Sequence, residues 1–197
     1  MKLIKHRCNS SGQLVGLHPD FGVEIDLRSS VGDPGHLHLS HDPWVQGENF
    51  DLWLGKYKEV GLSGPLILNT KEDGLESRTL ELLKKHQIQN FFFLDTALPT
   101  LVKWSVKENK KFFAVRWSKF EPIEFCEKFK NHCEWVWIDC FFLEIPPTDI
   151  IKKLQENFKV CLVSPELQGG EGKTISEFRK SLPAIEAICT KSPELWS

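Results

Sequence analysis

Short apolar runs alternate along this chain with segments in which apolar and charged residues recur at helical spacing. The runs have the length and the content of branched and aromatic residues that are typical of strands. They lie at residues 3–7, 23–28, 65–71, 90–95, 112–118, 135–141, 160–164 and 185–190. Helical patterns lie between most of them, at residues 77–86, 98–108, 122–131, 147–157 and 175–182. The pattern therefore predicts an alternation of strands and helices.

This alternation predicts the fold class. Strands that are apolar throughout and separated by helices are typical of a parallel sheet covered on both faces, and eight such units favour a closed barrel. We therefore expect an α/β protein, a compact (β/α)8 TIM barrel in one domain spanning residues 1–197. Residues 8–21 are few and rich in Gly, Ser and Pro, so we expect an abbreviated first crossover.

Local signals also predict where helices begin. Pro122 and Pro147 stand where a proline in the first helical turn is tolerated. Ser77 and Thr174 carry side chains that cap helix N-termini, and we expect them to do so here.

Composition restricts the partners and the location. The 197 residues carry a net charge of -2, which gives no general attraction to nucleic acid or to anionic membranes. No run of about 18 apolar residues is present, so we expect a cytoplasmic protein without a membrane anchor. The six cysteines show no Cys-x-x-Cys spacing, which favours buried, reduced thiols. The oligomeric state stays open.

Polar residues follow the predicted strands, and several have side chains suited to catalysis. Glu24 and Asp26 point to the same face of their strand, because successive side chains of a strand alternate. In barrels of this kind the active site lies at the C-terminal ends of the strands. A strand that runs into a loop also becomes polar, which alone explains part of the pattern. The residues at or near these ends are His6, Arg7, Glu24, Asp26, Arg28, His41, Asp42, Asn69, Lys71, Asp95, Arg116, Asp139, Ser164, Glu166, Thr190 and Lys191.

The chain resembles the glycerophosphodiester phosphodiesterase family at four short motifs and at its last strand. That family opens with His-Arg-Gly, continues with Glu-x-Asp and His-Asp, and carries Glu-x-Lys on its third strand. The corresponding residues here are His6-Arg7-Cys8, Glu24-Ile25-Asp26, His41-Asp42 and Asn69-Thr70-Lys71. The final run, Thr190-Lys191-Ser192-Pro193, resembles the closing Thr-Asp-x-Pro with Lys191 in place of the acid.

The resemblance implies metal-dependent hydrolysis of a small glycerophosphodiester-like substrate. By this resemblance His6 and His41 share acid and base catalysis, while Arg7 and Lys71 hold the phosphate. One divalent cation, Mg²⁺ or Ca²⁺, is expected on the oxygens of Glu24, Asp26 and Asn69. Asp42, Arg116, Asp139 and Glu166 are expected as further rim residues, with Arg116 and Asp139 paired across the rim.

Two departures from the family pattern bear on activity. Cys8 replaces a glycine that lets the backbone turn tightly, and Asn69 replaces a glutamate that would be the third metal ligand. An amide oxygen still binds a hard cation but carries no charge, so metal affinity is expected to fall. The alternative function is therefore a weak or inactive phosphodiesterase-like barrel that binds a phosphate ligand or serves as a scaffold.

Other motifs admit different interpretations. The run from His36 to Asp42 approaches the signature of metallo-β-lactamase-like hydrolases, but Ser40 stands where that signature has aspartate. We expect His36 and His38 to be solvated residues of a short rim hairpin. Trp135 and Trp137 share a strand face, and they are interpreted as core residues or as a stacking platform.

Overall fold

The computed structural model describes residues 1–197, except for the side chain of Pro34. The strands are β1 (Lys2–Lys5), β2 (Gly22–Ser30), β3 (Asp33–Leu39), β4 (Glu48–Asn49), β5 (Leu66–Thr70), β6 (Phe91–Leu94), β7 (Ala114–Trp117), β8 (Trp135–Ile138), β9 (Lys159–Val163) and β10 (Ala187–Thr190). The helices are α1 (Phe50–Val60), α2 (Glu76–Lys85), α3 (Leu98–Leu101), α4 (Ile123–Glu127), α5 (Thr148–Gln155) and α6 (Gly172–Ser181). A π-helical segment, Val102–Lys107, continues α3.

Eight of these strands run parallel and form a curled sheet in the order β6, β5, β2, β1, β10, β9, β8, β7. They correspond to the eight apolar runs, so the predicted α/β fold and the predicted strands are confirmed. The two ends of this order, β6 and β7, meet through one isolated bridge between Phe93 and Phe113. There the amide of Phe93 donates to the carbonyl of Phe112 at 2.9 Å. The seam between β6 and β7 is thus much more weakly paired than the rest of the sheet.

A short antiparallel extension lies beside β2. Strand β3 pairs with β2 and also with β4, which forms the predicted rim hairpin. The expectation that His38 is solvated is wrong, because it is only 5% exposed and lies in a strand paired on both sides. His36 is half-buried, and its Nε2 lies 3.2 Å from the side-chain Nδ2 of Asn49.

The sheet separates two apolar clusters. Its inner face holds Ile67, Phe92, Trp135 and Trp137, with the ring of Phe92 stacked on Trp135 at 4.6 Å between centroids. Its outer face carries Val23, Ile25 and Leu27 beneath the helices, as the alternation along β2 predicts. The tryptophans are therefore core residues, as expected. They do not form an exposed stacking platform.

The first crossover contains only a 3-10 turn, Ser11–Leu14, so the predicted abbreviation is confirmed. Helix α1 was not predicted. Its start is capped by Asn49, which accepts from the amide of Leu52 at 3.0 Å, and its end is formed by Gly61 at φ 70°. This Asn and Gly pair is the signal that could have located the helix.

The predicted helix caps are only partly right. Pro122 and Pro147 directly precede α4 and α5, where a missing N–H is tolerated. Ser77 and Thr174 are not caps, because α2 begins one residue before Ser77 and α6 begins at Gly172, before Thr174. A capping side chain is effective only at the boundary residue, and propensity locates that boundary to within a few residues.

The remaining global features concern the cysteines and the helices. All six cysteines are buried, which confirms that part of the prediction. In the described part of the chain, no helix combines the length and the apolar character needed to cross a membrane.

Candidate active site

The C-terminal ends of β1, β2 and β5 lie side by side. Strand β1 is between β2 and β10, and β5 is on the far side of β2. The amide of His6 donates to the carbonyl of Thr190 at 2.9 Å, which anchors the end of β1 against β10. This arrangement brings the first two motifs and the third-strand motif to one rim, as the strand-end argument predicts.

Glu24 and Asp26 both point to the inner face of the sheet and are almost completely buried, at 1% and 0% exposure. Asp26 lies directly opposite Asn69 in the register of β2 with β5. These acids therefore do not form an exposed strand face. Two carboxylates buried side by side require partners, because an unpaired buried charge is very costly.

Glu24 obtains its partners from two strands. The backbone amide of Arg7 donates to Glu24 Oε2 at 2.8 Å, and the Asn69 side chain donates to Oε1 at 3.1 Å. Burial and the nearby charge of Asp26 together raise the pKa of the Glu24 carboxyl to about 7.

Asp26 has more cationic surroundings. The ammonium nitrogen of Lys71 lies 2.9 Å from Asp26 Oδ1, and Arg7 Nε lies 3.7 Å from Oδ2. Asn9 completes the arrangement, since its Nδ2 donates to Asp26 Oδ2 at 2.8 Å and its Oδ1 accepts from the Asp26 amide at 2.9 Å. Asn9 was missed from the sequence, although it follows the first motif directly.

His6 stands beside Glu24 in a largely buried position. Its Nε2 is 3.7 Å from Glu24 Oε2, which is too long for a hydrogen bond, and its Nδ1 is buried without a partner among the described residues. Burial, followed by the charge of Arg7, lowers the pKa of His6 to about 4. The imidazole is consequently neutral at physiological pH.

The tight turn after β1 is made by Arg7. Its backbone adopts φ 55°, in the left-handed region, which directs its amide toward Glu24. Cys8 needs no positive φ and is fully buried, with its amide donating to the Glu24 carbonyl at 2.8 Å. The expectation that Cys8 occupies a position requiring glycine is therefore wrong, because the unusual backbone geometry falls one residue earlier.

His41 lies at the same rim, but its imidazole does not contact the residues described above. The amide of Ser40 donates to the Asp26 carbonyl at 3.0 Å, so His41 follows a residue bonded to β2. Its Nδ1 lies 2.7 Å from Asp42 Oδ1, and the Asp42 pKa is lowered by this hydrogen bond. Arg28 donates to the His41 carbonyl at 2.9 Å. Among the described contacts, none joins the His41 imidazole to His6 or to the buried carboxylates.

The other predicted rim residues form separate groups. Asp95, Arg116 and Asp139 make up what we term the Arg116 cluster, in which Arg116 pairs with Asp95 and lies 2.7 Å from Asp139 Oδ2. The predicted pair of Arg116 and Asp139 is thereby confirmed. Glu166 accepts from the backbone amide of Lys191 at 2.9 Å and from the hydroxyls of Ser164 and Thr190. Neither group contacts the buried carboxylates in the described structure.

The oxygen donors suit a hard divalent cation. Glu24, Asp26 and Asn69 supply two carboxylates and an amide, and the buried Oδ1 of Asn69 has no hydrogen-bond partner in the described structure. Within the described residues, no three His, Cys, Asp or Glu side chains converge as a metal cluster. A zinc site on His36, His38 and His41 therefore has no support. The residues present fit a cation held by two anionic ligands and one neutral ligand.

A surface groove of about 360 Å³ lies along the hairpin side of this rim. Arg28, His38 and Glu72 line it, together with Trp44, which is 91% exposed. Arg28 links the groove to His41 through the hydrogen bond described above, and its buried Nε has no partner in the described structure. The groove thus combines an aromatic face with hydrogen-bonding groups.

Solved structures of phosphodiesterases share this fold. A glycerophosphodiester phosphodiesterase from Parabacteroides distasonis is 14% identical, with a TM-score of 0.74 over 98% of this chain and 93% of that chain. An Oleispira antarctica phosphodiesterase in complex with the product sn-glycerol-3-phosphate is 16% identical, with a TM-score of 0.72 over 100% and 95%. A glycerophosphodiester phosphodiesterase from Agrobacterium tumefaciens is 13% identical, with a TM-score of 0.70 over 100% and 97%.

No protein-family model matches the chain, and no curated protein matches it. The structural likeness covers nearly the whole chain at low identity. The protein therefore has the fold of the glycerophosphodiester phosphodiesterases, which confirms the resemblance at the level of the fold.

Proposed function

We propose that this protein is a phosphoric diester hydrolase that cleaves a small glycerophosphodiester-like substrate with the help of one divalent cation. The observation that carries the proposal is the convergence of Glu24 and Asp26, both buried, with a histidine and two cationic side chains at the active rim of this fold. The fold it shares with known phosphodiesterases supports the same reaction class.

Arg7 and Lys71 are proposed to bind the phosphate. Both lie within 4 Å of Asp26, so their charges are held at one place on the rim. The guanidinium of Arg7 offers a planar pair of donors, and the Lys71 ammonium acts as a point charge. An anionic diester would lie where these two donors converge.

The acid and base roles are proposed for the two histidines. Because burial keeps His6 neutral, it has a free lone pair and is suited to accept a proton from the attacking water. His41 is more exposed and its Nδ1 is held by Asp42, so its Nε2 is proposed to donate a proton to the leaving oxygen. Substrate binding must draw His41 closer to the phosphate for this transfer.

A cation, Mg²⁺ or Ca²⁺, would be held by Glu24, Asp26 and Asn69. When bound, it would neutralise charge on the phosphoryl oxygens as the diester is attacked. Asn69 already lies within hydrogen-bonding distance of Glu24, so the three side chains are held together. The Lys71 ammonium must share Asp26 with the cation, which limits affinity.

The hairpin-side groove is proposed to accept one alcohol portion of the substrate. Its exposed Trp44 offers an apolar face, and Arg28 and Glu72 line the groove as charged groups beside it. We further propose that the protein is a closed (β/α)8 barrel and that it is located in the cytoplasm. Its substrate is proposed to be a soluble molecule rather than nucleic acid or a membrane.

Hydrolysis of a panel of phosphodiesters tests the function. The panel contains glycerophosphodiesters and bis(p-nitrophenyl) phosphate, each assayed with Mg²⁺, Ca²⁺, Mn²⁺ or a chelator. We expect metal-dependent release of an alcohol and a phosphomonoester. Absence of turnover with every metal, for a folded protein, would contradict the proposal.

The second candidate is a phosphate-binding protein without turnover. It is favoured because both carboxylates already have partners within the protein: Asn69 donates a hydrogen bond to Glu24, and Lys71 forms an ion pair with Asp26. This candidate predicts binding of inorganic phosphate that a chelator does not weaken, together with no hydrolysis across the panel. Titration calorimetry with phosphate, with and without EDTA, separates the two functions.

A further inference from the structure

Lys191 follows β10 in a turn whose backbone is held on several sides. Its amide donates to Glu166 Oε1 at 2.9 Å, and its carbonyl accepts from the ammonium of Lys5. The next amide, of Ser192, donates to the hydroxyl of Thr190 at 2.9 Å. The backbone of Lys191 is thus fixed, which limits where its side chain can reach.

The ammonium of Lys191, by contrast, has no carboxylate within 4 Å among the described residues, and its side chain is exposed. Both oxygens of Glu166, which accepts from the Lys191 backbone amide, are occupied by backbone and hydroxyl donors. Arg7 and Lys71, in comparison, are both engaged with Asp26. Lys191 is therefore a cation with free binding capacity.

Its location places this charge beside the proposed phosphate site. Strands β1 and β10 are paired, with Lys5 opposite Thr190, and the His6 amide bonds to the Thr190 carbonyl. The charge of Lys191 is also among those that lower the pKa of His6. Because β1 lies between β2 and β10, Lys191 and the hairpin-side groove are on opposite sides of His6.

We infer that Lys191 is a specificity-determining residue that binds a second anionic group, a carboxylate or a phosphomonoester, carried by the alcohol on the β10 side of the diester. The inference rests on the proposed phosphodiester site. Arg7 and Lys71 serve the diester itself, so a third cation without a partner is explained by a substrate with an additional negative charge. A free lysine on a fixed turn provides that charge without reorganising the backbone.

Two pairs of ligands test this inference by titration calorimetry in EDTA, where metal-dependent turnover does not consume them. Glycerophosphoserine differs from glycerophosphoethanolamine by a carboxylate, and glycerophosphoinositol 4-phosphate differs from glycerophosphoinositol by a phosphate. Each pair is measured with wild type, Lys191→Met and Lys191→Arg. Lys110→Met is the matched control, because Lys110 is exposed, unpaired in the described structure and beyond the opposite end of β7.

We expect wild type to bind the more anionic member of at least one pair about threefold more tightly, and this preference to fall with added salt. Lys191→Met should abolish the preference while leaving the affinity for the less anionic member unchanged, and Lys191→Arg and Lys110→Met should retain it. A preference that survives Lys191→Met, or equal binding within both pairs, would overturn the inference and leave the proposed hydrolase intact. Failure of all four ligands to bind in EDTA would also overturn the inference, whereas the proposed hydrolase stands or falls separately with turnover in the metal-containing panel.

Discussion

Two polar clusters at the same end of the sheet invite comparison, because both join acids and cations on neighbouring strands. The first, which we term the carboxylate cluster, consists of Glu24, Asp26, Asn69 and Lys71 on β2 and β5 or directly after them. The second is the Arg116 cluster, around β6, β7 and β8. In the sequence, the members of both clusters were candidate site residues because all of them lie at or near the ends of predicted strands.

The backbone beneath the two clusters differs. Strands β2 and β5 are paired continuously from Val23 to Leu27, so the carboxylate cluster is not needed to join them. The Arg116 cluster spans the weak seam between β6 and β7, where a cavity of about 230 Å³ opens beside Asp95 and Arg116. Its ion pairs connect strands that backbone hydrogen bonds hardly connect.

Their chemistry differs as well. Asp139 accepts from Trp137 at 3.3 Å and from Gln168 at 3.1 Å in addition to its pair with Arg116. The carboxylate cluster lies next to a neutral histidine and retains the unpartnered Asn69 oxygen. Charged residues at the rim are thus better candidates for function where the strands beneath them are already joined by continuous backbone pairing.

The largest expected effect concerns turnover. Glu24→Gln or His6→Ala should lower kcat/KM for the best diester by about a hundredfold or more, because each removes a group at the reacting phosphate. Asp95→Asn, in the Arg116 cluster, is the matched control and should change it by less than about fivefold. Equal losses in the two clusters would mean that the comparison is wrong and that the active site extends across the rim.

The next largest effect concerns stability, and here the larger loss is expected in the Arg116 cluster. Arg116→Ala should lower the free energy of unfolding by about 3 kcal/mol, because Asp139 is then left buried without its cation and the seam loses its link. Lys119→Ala, which breaks the more exposed pair with Glu144, should cost less than about 1 kcal/mol. Urea unfolding measures both, and similar values would argue against a special role at the seam.

A metal titration sharpens the role of the carboxylate cluster. Asn69→Glu should raise the affinity for Ca²⁺ or Mg²⁺ by about tenfold, because a third anionic ligand replaces a neutral one. The control is Asn131→Glu, which adds the same charge at an exposed position after α4. If calorimetry shows the same affinity for wild type and both variants, Asn69 is not a ligand.

The smallest effect is a pH dependence of stability. His6 has a pKa of about 4 when folded and an ordinary value of 6.5, so the unfolded chain binds its proton first as pH falls. Its contribution is fully present above pH 6.5 and is lost progressively toward pH 4. Glu24, with its raised pKa, acts in the opposite sense, since its contribution is present below pH 4.5 and is lost as pH rises through about 7.

For wild type in EDTA, the His6 contribution should therefore fall by about 1 kcal/mol between pH 7 and pH 5.5. His6→Asn removes the titrating group, so the stability difference between wild type and this variant should shrink by that amount on acidification. Urea unfolding at the two pH values provides the measurement. A difference that stays constant would mean that His6 is not held neutral by burial.

Much of the fold followed from local pattern. The eight apolar runs became the eight parallel strands, and the parity of Glu24 and Asp26 put both on the inner face. Helix α1 escaped prediction because its segment mixes apolar and charged residues around Gly55, and only its cap and terminal glycine mark it. The caps at Ser77 and Thr174 failed because helix boundaries depend on packing as well as on propensity.

The candidate site shows the same division between local and distant effects. Residue type and alternation along one strand are local properties, so they sufficed to select His6, Glu24 and Asp26 and to orient the two acids. They could not show that Arg7 makes the turn or that Asn9 bonds twice to Asp26, because these depend on contacts between separate segments.

The position of Lys191 depends on a contact between the two most widely separated strands in the sequence. Lys5 and Thr190 lie at opposite ends of the chain, and only the pairing of β1 with β10 brings Lys191 beside His6. The distinction between the two clusters likewise required the uneven pairing of the strands, which is continuous between β2 and β5 and a single bridge between β6 and β7. Side-chain chemistry is encoded residue by residue, whereas neighbours across a sheet are set by the cooperative packing of the whole chain.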